Sequence, residues 1–214
     1  MNVKKILFLL LILLTVITFA GEKKYLQITE LSNWFFSHGS ELESEGPKDT
    51  QVDGLSYPQF YGFQDVQAAK GIWIGCKNYT DPINSNTYEY KVIANGPRRV
   101  DEVSSWMVEE FELIGQFDQC NVLVNGVPAA RHIYTDQVDV VDPTLVADRK
   151  LHAKINTSLG ITVTRDIYAF SHEDHQNYYI YEYTFKHTGI YNPDGDVHTQ
   201  TLNDVIFYWQ WRYG

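Results

Sequence analysis

Four potential ligands stand together at His172-Glu173-Asp174-His175. Imidazole and carboxylate in one cluster suit a divalent metal ion. On a helix the two histidines would share a face. Here they fall between two strongly alternating segments, so the motif reads as a loop. A solvated turn is the plainer reading, and a weak metal site through His172, Asp174 and His175 is the sharper one. Asn192-Pro193-Asp194-Gly195-Asp196 alternates oxygen ligands around a glycine, as part of a calcium loop does. Its downstream bidentate acid is missing, which favours a hairpin turn over calcium at Asp194 and Asp196. Asp136, Asp139 and Asp142 form a further acidic run that reads as solvated loop or as a gathering point for calcium.

Acid–base chemistry has little to start from. Carboxylate pairs occur at Asp101-Glu102 and Glu109-Glu110. Glycoside hydrolysis needs two carboxyls facing each other across a cleft. Neighbours on a strand point to opposite faces, so adjacency argues against a shared site. Ser104 and Ser105 lack the Gly-x-Ser-x-Gly frame of a nucleophile elbow. The chain has no P-loop and no dinucleotide-binding glycine pattern. No catalytic and no cofactor-binding residue emerges. Asn78-Tyr79-Thr80 and Asn156-Thr157-Ser158 match the N-glycosylation acceptor.

The two cysteines, Cys76 and Cys120, match no zinc spacing. In an exported chain an even pair is a candidate disulfide, and closing that loop would contribute about 4 kcal/mol. Two separate buried thiols are the alternative.

These residues must be carried by strands. Aromatics are heavy, with 15 Tyr, 11 Phe and 5 Trp, and such side chains favour pleated, half-buried surfaces. Ile72, Ile74 and Cys76 alternate with Trp73, Gly75 and Lys77. Tyr88, Tyr90, Val92 and Ala94 follow after a turn cluster containing Pro82, which predicts a hairpin. Glu109 to Phe117 alternates, and Asn125-Gly126 marks a tight turn. Ile161 to Ala169, Tyr179 to Lys186 and Val205 to Arg212 alternate most clearly. Val205, Phe207, Trp209 and Trp211 form one apolar stripe. Period-2 patterning with closely spaced turns predicts an all-β, antiparallel β-sandwich-like fold. The organisation predicted is a signal peptide over 1–20, an irregular segment over 21–70 and a sandwich-like domain over 71–214. A short helix near Gln64 to Ala69 is expected inside the irregular segment. Trp209 to Gly214 is strand-like with no turn after it, so the domain is expected to continue beyond Gly214 and the isolated chain to self-associate.

The amino terminus predicts export. Lys4 and Lys5 precede an apolar run from Ile6 to Phe19, and Thr18 and Ala20 are the small residues before Gly21. The run is shorter than the roughly 20 residues that span a bilayer. Cleavage after Ala20 would remove two lysines and take the formal net charge from −10 to −12. Such acidity repels phosphate backbones, so nucleic acid is not an expected partner. After the signal no membrane-length apolar run follows, so no membrane span is expected.

Several segments resemble exported bacterial proteins of the kind that carry a C-terminal type IX secretion sorting domain. They are Ala69-Lys70-Gly71-Ile72-Trp73-Ile74-Gly75, Tyr90-Lys91-Val92-Ile93 with Gly96-Pro97-Arg98, and Ile180 to Lys186 with Thr188-Gly189. The resemblance covers most of the mature chain and implies the N-terminal region of a long, multi-domain exported protein. Its motifs are structural, and no catalytic residue is carried over. The sorting domain itself is not part of this sequence. The expected role is a non-enzymatic structural or adhesive module at the cell surface or outside the cell, the periplasm being a third location. Its partners would be polysaccharide or other surface proteins. The alternative is a carbohydrate-binding or carbohydrate-processing module. Exposed Trp or Tyr beside a groove with Asp or Glu would favour the alternative; the same rings buried between sheets would favour the first.

Overall fold

A computed structural model of the chain describes residues 22–42, 54–58, 66–96, 105–118, 123–128 and 138–213. These residues are all β, with no α-helix among them. The expected signal peptide lies outside the described residues. Among those described, no helix is long and apolar enough to cross a membrane.

The largest sheet has five strands. Its core is the antiparallel set β10 (Arg149–Thr157), β11 (Ile161–Ala169) and β12 (Ile180–His187). On the other side of β10 come β6 (Trp106–Gly115) and then, in parallel, the short β9 (Val140–Val141). The second sheet centres on β4 (Gln67–Thr80). Along one side of β4 runs β13 (Asn203–Tyr213), and β5 (Thr87–Ala94) and β3 (Glu41–Leu42) also pair with it. β1 (Lys23–Ile28) and β2 (Leu31–Phe36) make a separate hairpin, and β7 (Leu123–Val124) and β8 (Val127–Pro128) a small one closed at Asn125-Gly126.

One face of the five-stranded sheet is covered twice. Ala153, Ile155, Ile161 and Val163 pack against Ile72, Ile74, Cys76 and Ile93 of the second sheet. Leu113, Leu151, Ile167 and Ala169, further along the same face, pack against Leu26, Ile28, Leu31 and Phe35 of the hairpin. Each large apolar side chain fully buried there contributes about 1.5–3 kcal/mol. The sandwich end is closed by polar contacts on buried rings. Trp106 Nε1 donates to the Ala94 carbonyl at 3.0 Å, and Tyr79 Oη to the Ser158 carbonyl at 2.6 Å.

The expected β4–β5 hairpin and the strands of the last third are present. Three expectations need correction. The 21–70 segment is not irregular throughout, because β1, β2 and β3 lie in it. Its strands were hidden because polar Ser32 and Asn33 are themselves buried, which blurs the two-residue period. Residues 67–69, expected in a helix, open β4 instead. Finally, the apolar stripe on β13 divides. Val205, Phe207 and Trp209 pack on the sandwich core, whereas Trp211 is exposed. Its cross-strand partner Lys70 lies over the Tyr181 ring.

Candidate binding face

Direct cross-strand partners share a face of a sheet. On the solvent side of the second sheet, Trp73, Gly75 and Lys77 of β4 stand opposite Tyr208, Ile206 and Asn203 of β13. The same residues stand opposite Ala94, Val92 and Tyr90 of β5. Register therefore gathers Trp73, Tyr90, Val92, Ile206 and Tyr208 on one exposed face, and all five are exposed large hydrophobics. Scattered exposed apolar residues are ordinary; a contiguous set on one face is not.

A groove of about 380 Å³ runs between Trp73 and Tyr208 at one end and Val92 and Ile206 at the other. Gly75 forms its floor and Gln210 supplies an amide to the lining. The floor is low because Gly75 has no side chain; a Cβ there would meet Val92 Cγ2 at 3.4 Å. The Trp73 and Tyr208 rings meet edge to face, with centroids 5.9 Å apart at 66°. Each ring holds the other upright, which limits the entropy either would lose on binding a ligand. Among the described residues the lining carries no carboxylate. Beyond it, Lys77 Nζ and Asp204 form an ion pair at 2.9 Å.

A larger concavity, about 770 Å³, opens between β12 and β13. Its apolar walls, including Ile161, Phe185 and Phe207, continue the sandwich core. Gln200 on its rim exchanges two hydrogen bonds with the Thr80 backbone, at 3.0 and 2.9 Å, and so fixes a loop to β4.

The residues singled out as ligands lie elsewhere. His172, Asp174 and His175 occupy an exposed turn. Asp174 N donates to His172 Nδ1 at 3.2 Å, and His175 Nδ1 bonds Tyr178 Oη. Asp194 and Asp196 lie in a turn where Asp196 N donates to Asn192 Oδ1 and Asn192 Nδ2 to Asp196 Oδ2, both at 2.9 Å. Asp139 accepts from the Leu113 amide and Asp142 from Thr144, while Asp136 lies outside the described residues. Among the described residues no group of three or more His, Cys, Asp and Glu side chains is placed to hold one metal ion. Cys76 is a buried free thiol whose pKa is raised by burial; Cys120 lies outside the described residues.

Glu109 and Glu110 depart from simple alternation. A register shift on β10, between Lys154 and Ile155, leaves Glu109 as the extra residue of β6. Both carboxylates then reach Lys154 Nζ, at 2.9 and 3.3 Å. Beside them His152 bonds Asp166 through Nδ1 at 2.7 Å and Glu110 through Nε2 at 3.3 Å. The hydrogen bond to Asp166 raises the His152 pKa. This is a charged ladder across the outer face of the five-stranded sheet, with each acid already paired.

The polar cluster that sequence reading missed is buried. Arg165, fully buried on β11, lies between the two apolar cores. Its guanidinium donates to the carbonyls of Gly39 at 2.7 Å and Phe36 at 2.9 Å. Next to it Glu41 Oε2 accepts from Asn33, Gln67 and Tyr181 at 2.8, 3.0 and 3.1 Å, and Glu41 Oε1 lies 3.3 Å from Lys70 Nζ. Burial pushes Lys70 down to about 8 and His38 down to about 4.

No protein-family profile, curated protein or solved structure matches the chain.

Proposed function

We propose that the protein is a non-catalytic adhesive module of an exported protein, and that it holds carbohydrate on the outer face of the second sheet. The observation that carries this reading is the exposed, mutually braced pair Trp73 and Tyr208 over the Gly75 floor. A pyranose ring has one face of C–H groups and a rim of hydroxyls. The flat indole and phenol faces suit the first, and the Gln210 amide and Tyr208 hydroxyl suit the second. An uncharged lining favours a neutral glycan over an acidic one.

Binding is a better fit than processing. Hydrolysis calls for two carboxyls on opposite sides of the bond. Asp204 is the acid nearest along the strand, and it is held by Lys77. The core rings Phe207 and Trp209, packed on Phe185 and Tyr183, supply a stiff support for the outer face, as a structural module requires.

Export rests on the Lys4 to Ala20 segment, and placement within a longer secreted protein rests on the resemblance of residues 69–75, 90–98 and 180–189 to type IX-sorted proteins. Affinity electrophoresis of the full chain through gels containing soluble neutral polysaccharides tests the binding role. Retardation by one of them, abolished in Trp73→Ala, is expected; equal mobility in every gel overturns it.

A further inference from the structure

Glu41 stands between a buried amine and a buried carboxamide. Its Oε1 is 3.3 Å from Lys70 Nζ and its Oε2 is 2.8 Å from Asn33 Nδ2. The two reactive groups therefore sit on the two oxygens of one carboxylate. Glu41 and Asn33 are each 1% exposed and Lys70 is 5% exposed, so bulk water does not compete for the site. Asn33 Oδ1 has no hydrogen-bond partner, so this amide is held from its nitrogen side alone. The Tyr181 ring, 3.0 Å from Lys70 Nζ, closes the far side of the amine.

We propose that Lys70 and Asn33 condense into an isopeptide crosslink, with Glu41 as the proton carrier. Glu41 takes a proton from the Lys70 ammonium, leaving a neutral amine. The lone pair on Nζ attacks Asn33 Cγ and forms the new N–C bond. The bond from Cγ to Nδ2 then breaks as Nδ2 receives, through Glu41, the protons given up by Nζ. One ammonium ion leaves, and a secondary amide remains. The ammonium and carboxamide that react have the same atoms and charge as the amide and ammonium formed, and no oxidant, metal or cofactor is needed.

Two features of the site favour the step. Burial, opposed by Glu41 and aided by Arg165, leaves Lys70 at about 8, so the amine form is accessible. The nucleophile, acyl group and carboxylate are carried by strands β4, β2 and β3, and their shared contact with Glu41 replaces a bimolecular encounter with an intramolecular one. Gln67 also donates to Glu41 Oε2, at the longer distance of 3.0 Å, so Asn33 is the amide held closer to the carboxylate. The product would tie the β1–β2 hairpin covalently to the second sheet, across the seam between the two cores. It is independent of any ligand on the outer face.

The test is peptide mapping of the full folded chain by tandem mass spectrometry. Intact mass alone is ambiguous, because Asn95-Gly96 and Asn125-Gly126 can lose ammonia through succinimides. The expected result is a branched peptide joining Lys70 to Asn33, uncleaved by trypsin at Lys70 and lighter than its two parts by one ammonia. Lys70→Arg and Glu41→Gln should each give unlinked Asn33 peptide. If either variant fails to fold, the wild-type map still decides. Linear peptides carrying intact Asn33 and cleavable Lys70 overturn the proposal, as does a link from Lys70 to any other residue.

Discussion

Trp73 and Tyr208 meet edge to face on the solvent side of β4 and β13, while Trp209, the next residue along, turns inward against Tyr183 at 5.7 Å. One strand thus presents one ring to water and the next to the core. The two positions should respond differently to the same change.

Trp209→Ala removes a ring packed on Tyr183 and Phe185 and should cost about 3–5 kcal/mol in denaturant unfolding. Trp73→Ala and Tyr208→Ala remove partly exposed rings and should each cost about 1 kcal/mol or less. Equal losses at positions 73 and 209 would show that the outer face is structural.

The glycines of β4 make a paired prediction. A Cβ at Gly71 would lie 2.0 Å from the Asn95 carbonyl oxygen, a backbone atom that cannot swing away. Gly71→Ala should therefore cost about 3 kcal/mol or more. At Gly75 the nearest atom is Val92 Cγ2 at 3.4 Å. Gly75→Ala should unfold within about 1 kcal/mol of wild type, since alanine in a strand loses less backbone entropy than glycine. It should nevertheless weaken ligand binding by raising the groove floor. A thermal melt of both variants checks the pair.

Arg165 is the keystone of the buried seam. Arg165→Met would leave the Gly39 and Phe36 carbonyls without their donor and Glu41 with less positive charge nearby. Removing one member of a buried ionic group costs about 3–5 kcal/mol. Chemical denaturation should show that loss, and a change under about 1 kcal/mol would mean that water replaces the guanidinium at no cost.

Two histidines should give opposite pH signatures. His38 is held down to about 4 by burial, with Arg165 adding to the effect. The unfolded chain then binds a proton that the fold refuses, from about pH 6.5 down to about 4. Stability is lost as pH falls through that window, on the order of 3 kcal/mol for this group. His152 is raised, chiefly by its hydrogen bond to Asp166. Its contribution is complete below the unfolded pKa and disappears as pH rises through the folded one. Relative to wild type, His152→Gln should be more destabilising at acid pH than at alkaline pH. A constant difference across the range would show that the His152 ladder contributes no proton-linked stability.

The sequence made β4, β11 and β13 legible because they alternate. Residues 72–77, 161–169 and 205–209 each have one wet side and one dry side, and the two-residue period exposes that directly. β10 was missed, although Leu151, Ala153 and Ile155 alternate with Lys150, His152 and Lys154, because Ala153 adds little apolar weight. β2 and β3 were missed for a different reason. Asn33 and Glu41 are polar and buried, a pairing that no local pattern announces, since their partners Lys70, Arg165 and Tyr181 come from far along the chain. The binding face was half legible. Trp73 and Tyr208 were placed in strands, but only the β4–β13 register brings them together.

The most direct test of the binding account is calorimetric titration of the folded chain with the neutral polysaccharide that retards it most. The account predicts saturable binding that falls at least about tenfold in Trp73→Ala, the equivalent of about 1.4 kcal/mol, with the melting behaviour of the variant close to wild type. Undiminished binding in the Trp73→Ala, Tyr208→Ala double variant would contradict it.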